Sequence, residues 1–105
     1  MKRTLKNAHF GKGINILEFS YYLNLIATAT DSNEVFIYDY EYLKCVGTIH
    51  LGGSVIPTAM HFIPIYSLLA VCSSNGMLYV FYLQLKDHAL NTTLLGIIDL
   101  LRKTR

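Results

Sequence analysis

The sequence repeats itself. Moved forward by 43 positions, residues 14–40 lie on residues 57–83 without a gap. Phe19 falls on Phe62, Leu25 on Leu68 and Ala27 on Ala70. Where identity fails, the chemistry holds: Ile26 with Leu69, Thr30 with Ser73, Val35 with Leu78, Ile37 with Val80, Tyr38 with Phe81. Such a chain builds one unit twice. A unit this small cannot bury its own faces, so the copies must stack on each other and on further neighbours.

The units read as β-structure. Residues 14–19, 25–30, 35–40 and 45–51 are expected strands of the first, and residues 58–63, 68–73 and 77–83 of the second. They are rich in β-branched and aromatic side chains. Turn formers separate them: Asp31-Ser32-Asn33, Gly52-Gly53-Ser54, and the hairpin signal Asn75-Gly76. The fourth strand of the second unit is placed within residues 92–98, although Leu94, Ile97, Ile98 and Leu101 also fit a helical stripe. Both faces of residues 35–40 and 77–83 are apolar, which suits a sheet covered on both sides. Close strand spacing without long helical patterns predicts antiparallel meanders.

A period of 40–45 residues filled with short strands is that of propeller blades. The expected fold is all-β: two four-stranded antiparallel sheets, forming part of a β-propeller. The chain divides into an outer strand and entry loop (1–13, with an extended piece at 4–6), a first blade (14–51), a second blade (52–98) and a basic tail (99–105). Phe19 and Phe62 are expected in equivalent buried sites, as are Leu25 with Leu68 and Ala27 with Ala70. Val35, Ile37, Leu78 and Val80 are expected on outer sheet faces left without a neighbour.

Composition agrees. Hydrophobic residues make up 52% of the chain and charged residues 15%, an excess of apolar surface that needs covering. No Asp, Glu, Lys or Arg occurs in residues 45–85. A membrane-associated protein built on that stretch is the alternative reading. Against it, Gly52, Gly53, Ser54, Pro57, Pro64 and the turn at 73–76 leave no apolar run of about 18 residues. A net charge of +2, with the basic residues mainly at the two ends, gives no reason to expect a nucleic-acid partner. The opening residues lack the pattern of a signal peptide. Cys45 and Cys72 are therefore expected to be reduced, structural core residues in a cytoplasmic protein.

The segment LIATATDSNEVFIYDY, residues 25–40, resembles the strand–turn–strand core of the WD-repeat β-propeller family. Tyr38-Asp39 stands at the Trp-Asp position and Phe81-Tyr82 at its counterpart. His9 stands near the Gly-His position, and His50 takes that part before the second unit. The resemblance covers about residues 4–83. It implies a network of His, Ser/Thr, Asp and Trp within each blade, carried here by His9, Thr28, Asp31, Tyr38 and Asp39, then by His50, Asn75 and Phe81. The sequence departs from that pattern: it has no Trp, Ser32 occupies the usual Asp position with Asp31 one residue early, and Phe81 has no donor. The second blade is thus expected to be held by packing. The run HFIPIYSLLAVCSSNGMLYVFYL is similar to blades of large ciliary and cytoskeletal WD-repeat proteins. The resemblance implies a non-catalytic protein–protein interaction scaffold, with other blades or subunits of a large assembly as partners, and no membrane or small-molecule substrate.

No catalytic constellation is visible. The four histidines, His9, His50, His61 and His88, have no Cys, His, Asp or Glu at ligand spacing, so neither metal nor cofactor is expected. The loop Phe10-Gly11-Lys12-Gly13 is not a phosphate-binding P-loop, and Ser73 and Ser74 lack the frame of a nucleophile elbow. The remaining signal is aromatic: eight Tyr and five Phe. Tyr21, Tyr22, Tyr40, Tyr42 and Tyr66 fall at strand ends or in turns, where rings with polar tips suit protein recognition.

Overall fold

A computed structural model describes residues 14–87 and 89–100. The expected outer strand at 4–6, His9 and His88 lie outside the described residues. Eight strands follow in order: β1 Ile16–Ser20, β2 Leu25–Ala29, β3 Glu34–Asp39, β4 Lys44–His50, β5 Pro57–Ile63, β6 Leu68–Ser73, β7 Met77–Lys86 and β8 Ala89–Asp99. They form two antiparallel four-stranded sheets, β1-β2-β3-β4 and β5-β6-β7-β8. The stretch at 89–99 is strand throughout, because its residues pair with β7 from Lys86↔Ala89 to Met77↔Asp99. The uncharged residues 45–85 contribute to β4 through β7, and no described helix is long and apolar enough to cross a membrane.

The repeat extends to the backbone. Asn24 and Ser67, one repeat apart, are both left-handed, at φ 60° and 58°. Each closes the turn before it, the Asn24 amide donating to the Tyr21 carbonyl (3.2 Å) and the Ser67 amide to the Pro64 carbonyl (3.0 Å). Each then accepts from the next-but-one strand, Tyr40 N to Asn24 O at 2.9 Å and Leu83 N to Ser67 O at 2.8 Å. The outer strand pair carries a bulge at the same place in both sheets, between Ile37 and Tyr38 and between Val80 and Phe81. In the fourth strands the offset grows from 43 to 49, since Cys45 pairs with Tyr38 and Leu94 with Phe81, and Gly47 with Ile37 and Gly96 with Val80. The longer β7–β8 hairpin absorbs the difference.

The sheets stack face to face, with β1 beside β5 and β4 beside β8. Cross-strand partners share a face. Leu25, Ala27, Ala29, Val35, Ile37 and Ile49 therefore form one face of the first sheet, and Met60, Phe62, Leu69, Val71, Phe81 and Leu83 the facing surface of the second. Together they are the core. Hydrophobic burial here is the main favourable term, roughly 1.5–3 kcal/mol for each large side chain.

Three expectations change. Val35 and Ile37 are fully buried, because their face is the one that meets the second sheet. Phe62 is 4% exposed and Phe19 36%: Phe62 points at the first sheet, whereas Phe19 lies on the other face of the first sheet, near its turn end, against Tyr21 and Tyr40, while Ile26, Thr28 and Tyr38 on that face are buried. Cys45 is a surface residue at the start of β4, its thiol directed at the Gly47 carbonyl (3.5 Å); Cys72 is half-buried, and both are free.

Candidate interaction surface

Alternate strands run in opposite directions, so the turns after β1, β3, β5 and β7 share one end of the stack, while those after β2, β4 and β6 share the other. The second end is polar. It carries Asp31-Ser32-Asn33, Gly52-Gly53-Ser54 and Ser74-Asn75-Gly76. Its turns are stitched by their own side chains. Thr30 Oγ1 donates to Ser32 Oγ (3.1 Å) and accepts from the Ser32 amide (3.2 Å). One repeat later, Ser73 Oγ has Asn75 Oδ1 and the Met77 carbonyl as acceptors for its one proton, and Asn75 Oδ1 accepts from the Met77 amide (3.3 Å). Asn75 and Ser32 thus hold the same turn position, while Asp31 takes a hydrogen bond from Asn15 Nδ2.

The other motif residues do different work. Asp39 Oδ1 accepts from the amides of Glu41 (2.8 Å) and Tyr42 (3.2 Å), bracing the β3–β4 turn. Thr28 and Tyr38 are buried on the face of the first sheet that looks away from the second. Burial pushes the Tyr38 hydroxyl above its ordinary pKa of 10.0, and Cys45 across the strand adds a smaller push. Phe81 is buried in the core, nearly parallel to the Tyr79 ring at 6.4 Å. His50 is exposed at the end of β4, with Nδ1 3.2 Å from Glu34 Oε2. Among the described residues no buried side-chain nitrogen or oxygen lacks a partner.

The first end is aromatic. Tyr21 and Tyr22 in the β1–β2 turn are 83% and 78% exposed, Tyr42 stands out in the β3–β4 turn, and Ile65 and Tyr66 stand out in the β5–β6 turn. Tyr40 is more sheltered: its ring meets Phe19 at 4.7 Å, and Phe19 meets Tyr21 edge-on at 5.0 Å. Between the β1–β2 and β5–β6 turns lies a cleft of about 450 Å³ lined by residues 18–22 of the first blade and by His61, Phe62 and Pro64 of the second. His61 Nδ1 is 3.8 Å from Glu18 Oε1 across the two inner strands. A second groove, about 470 Å³, runs between β4 and β8 and is lined by Thr48, Ile49, His50, Tyr79, Leu94 and Ile97, among others.

The five tyrosines singled out in the sequence therefore lie at one end. Glu18, Phe62, Pro64 and Ile65 join them, residues that a search for aromatics at strand ends does not reach. The repeat does carry a signal for them, since the offset that stacks Phe19 on Phe62 also stacks Tyr21-Tyr22 on Pro64-Ile65. Among the described residues no three His, Cys, Asp or Glu side chains come together.

No protein-family model matches the sequence, and no curated protein matches it. Solved structures do. The chain is similar to the beta-propeller domain of Cps50 (Swd1) from Myceliophteria thermophila, at 11% identity and a TM-score of 0.68, over 83% of this chain and 29% of that one. It is similar to Hsv2 of Kluyveromyces lactis at 13% identity and a TM-score of 0.69, over 85% of this chain and 34% of that one. The fold is a pair of β-propeller blades, and the likeness to WD-repeat blades read in the sequence holds at the level of fold. The chain spans about a third of the length of these structures.

Proposed function

We propose that the chain is a non-catalytic protein–protein interaction scaffold: two blades of a larger WD-repeat propeller, working in a large cytoplasmic assembly of the cytoskeletal or ciliary kind. The observation that carries this reading is the outer face of the second blade. Leu68, Ala70, Cys72, Leu78 and Val80 occupy the repeat positions of Leu25, Ala27, Ala29, Val35 and Ile37. In the first blade those positions are at most 3% exposed, covered by the second; in the second blade they are only half-buried. With Tyr82, Leu95 and Ile98 exposed beside them, they make an apolar sheet face of the kind that marks an interface. The occupant that fits is another blade presenting side chains like Met60, Phe62 and Leu69. The proposed partners are further blades and protein subunits, with no catalytic step and no part for nucleic acid, membrane or small molecule.

Sedimentation tests the reading. The isolated chain should self-associate at micromolar concentration, and Leu78→Lys with Val80→Lys should disperse it while leaving the sheets folded by circular dichroism. A cooperatively unfolding monomer of the unsubstituted chain would overturn the proposal. In cells, the tagged protein should fractionate with the cytoskeleton and be released by salt or urea; release by detergent alone would favour the membrane reading.

A further inference from the structure

The turns at the aromatic end project along the blade axis. Stacking more blades covers sheet faces and leaves this end open, so a ligand site here is independent of the propeller reading. Three features define the cleft. First, its accessible walls are apolar: Tyr21 and Tyr22 from one turn and Pro64 from the turn of the next blade, while Phe62 behind them is buried in the core. Second, Tyr21 and Tyr22 are largely exposed, so their hydroxyls are open to a ligand. Third, the ionisable groups of the lining besides the tyrosines are Glu18 and His61, 3.8 Å apart, with neither lysine nor arginine, so Glu18 is the one acidic group a basic ligand can meet.

That chemistry selects its ligand. A polyproline II segment has no internal hydrogen bonds, and its carbonyls point outward. Such segments dock in aromatic-lined grooves, where proline rings lie on aromatic faces and hydroxyl donors meet the free carbonyls. Little ordering entropy is lost, because the segment is already extended. A carboxylate at the edge of an otherwise apolar cleft favours a cation beside the prolines, and the ring faces add cation–π attraction. We propose that the cleft between the β1–β2 and β5–β6 turns binds a proline-rich segment of a partner protein, with a flanking arginine or lysine held by Glu18.

The test uses the full chain in whatever assembled state it is obtained. The probe is a fluorescein-labelled peptide of one arginine followed by roughly eight prolines, enough for more than two polyproline II turns. Anisotropy should report saturable binding with a Kd on the order of 100 µM, a modest affinity suited to one small groove. Tyr21→Ser with Tyr22→Ser should weaken it by at least about tenfold, since exposed aromatic anchors carry such contacts. Glu18→Gln should weaken the arginine-bearing peptide by about threefold to tenfold and leave an arginine-free polyproline unchanged. No binding up to about 1 mM, equal binding of a glycine–serine peptide with the same arginine, or indifference to the double tyrosine substitution would each overturn the proposal. Oligomeric state is read separately, so a failed propeller reading and a failed cleft are told apart.

Discussion

Phe19 and Phe62 hold the same place in two copies of one unit, yet one is 36% exposed and the other 4%. Their strands, turns and cross-strand partners correspond: Phe19 sits opposite Ile26 and Phe62 opposite Leu69. What differs is the layer above. Phe62 packs against the first blade, whereas Phe19 sits near the turn end of its sheet's other face against Tyr21 and Tyr40, outside the buried set Ile26, Thr28 and Tyr38. The same asymmetry, reversed, separates Val35 and Ile37 from Leu78 and Val80. In a stacked-repeat fold the burial of a side chain belongs to the interface between units, not to the unit.

Mutation puts this asymmetry at risk. The largest effect is expected at the phenylalanines. In the dispersed Leu78→Lys/Val80→Lys background, Phe62→Ala should cost about 3–5 kcal/mol by urea unfolding. Phe19→Ala should cost less than about 1 kcal/mol, as for a surface site. Equal losses would mean that the two faces are equally covered. In a chain dispersed by Leu78→Lys alone, Ile37→Ala should cost about 2–5 kcal/mol and Val80→Ala less than about 1 kcal/mol. Fusing a further blade after the second should raise the Val80 value and leave the Ile37 value alone.

The glycines of the outer strands give a smaller version of the same test. A Cβ at Gly47 would meet Leu90 Cβ at 3.1 Å, because β8 of the second blade presses on β4; at Gly96 it would meet nothing within 4 Å. Gly47→Val should destabilise by about 1–3 kcal/mol through overpacking. Gly96→Val should stay within about 0.5 kcal/mol of the parent. A neutral Gly47→Val would place the outer strands farther apart than described.

The smallest effect is a pH dependence confined to the first blade. Burial raises the Tyr38 pKa in the folded state, so above pH 10 the unfolded chain loses this proton first. The folded state then binds more protons, and stability contributed by the neutral phenol falls as pH rises through that range. Tyr38→Phe should flatten the decline in urea midpoint above pH 10, while Phe81, its repeat partner, has nothing to titrate. An unchanged slope would show that Tyr38 is not desolvated.

Most of the secondary structure was legible in the sequence. Residues 68–73 are strand from end to end, and the other expected strands are met within a few residues, because alternation, β-branching and turn formers act locally. The ambiguous segment was 92–98, where Leu94, Ile97 and Ile98 satisfy two periods at once. The β7–β8 ladder resolves it: Ile97 pairs with Tyr79 and Ile98 with Leu78, so adjacent leucines and isoleucines serve opposite faces of one strand. The site was legible in part. Five tyrosines at strand ends and turns could be named, but not the cleft, since Glu18 and Tyr21 meet His61 and Pro64 only when two turns separated by a full repeat are brought together.

The order of residues was enough to define the unit: its period, its strands, its antiparallel order and the chemistry of each position. These arise from propensities and patterns that act over a few residues or recur with the repeat. Which copy of each position is dry, and which turns share an end, emerged only from the stacked blades. Those properties depend on how one blade lies against the next, and identical spacing within each blade carries no record of which of its faces has a neighbour.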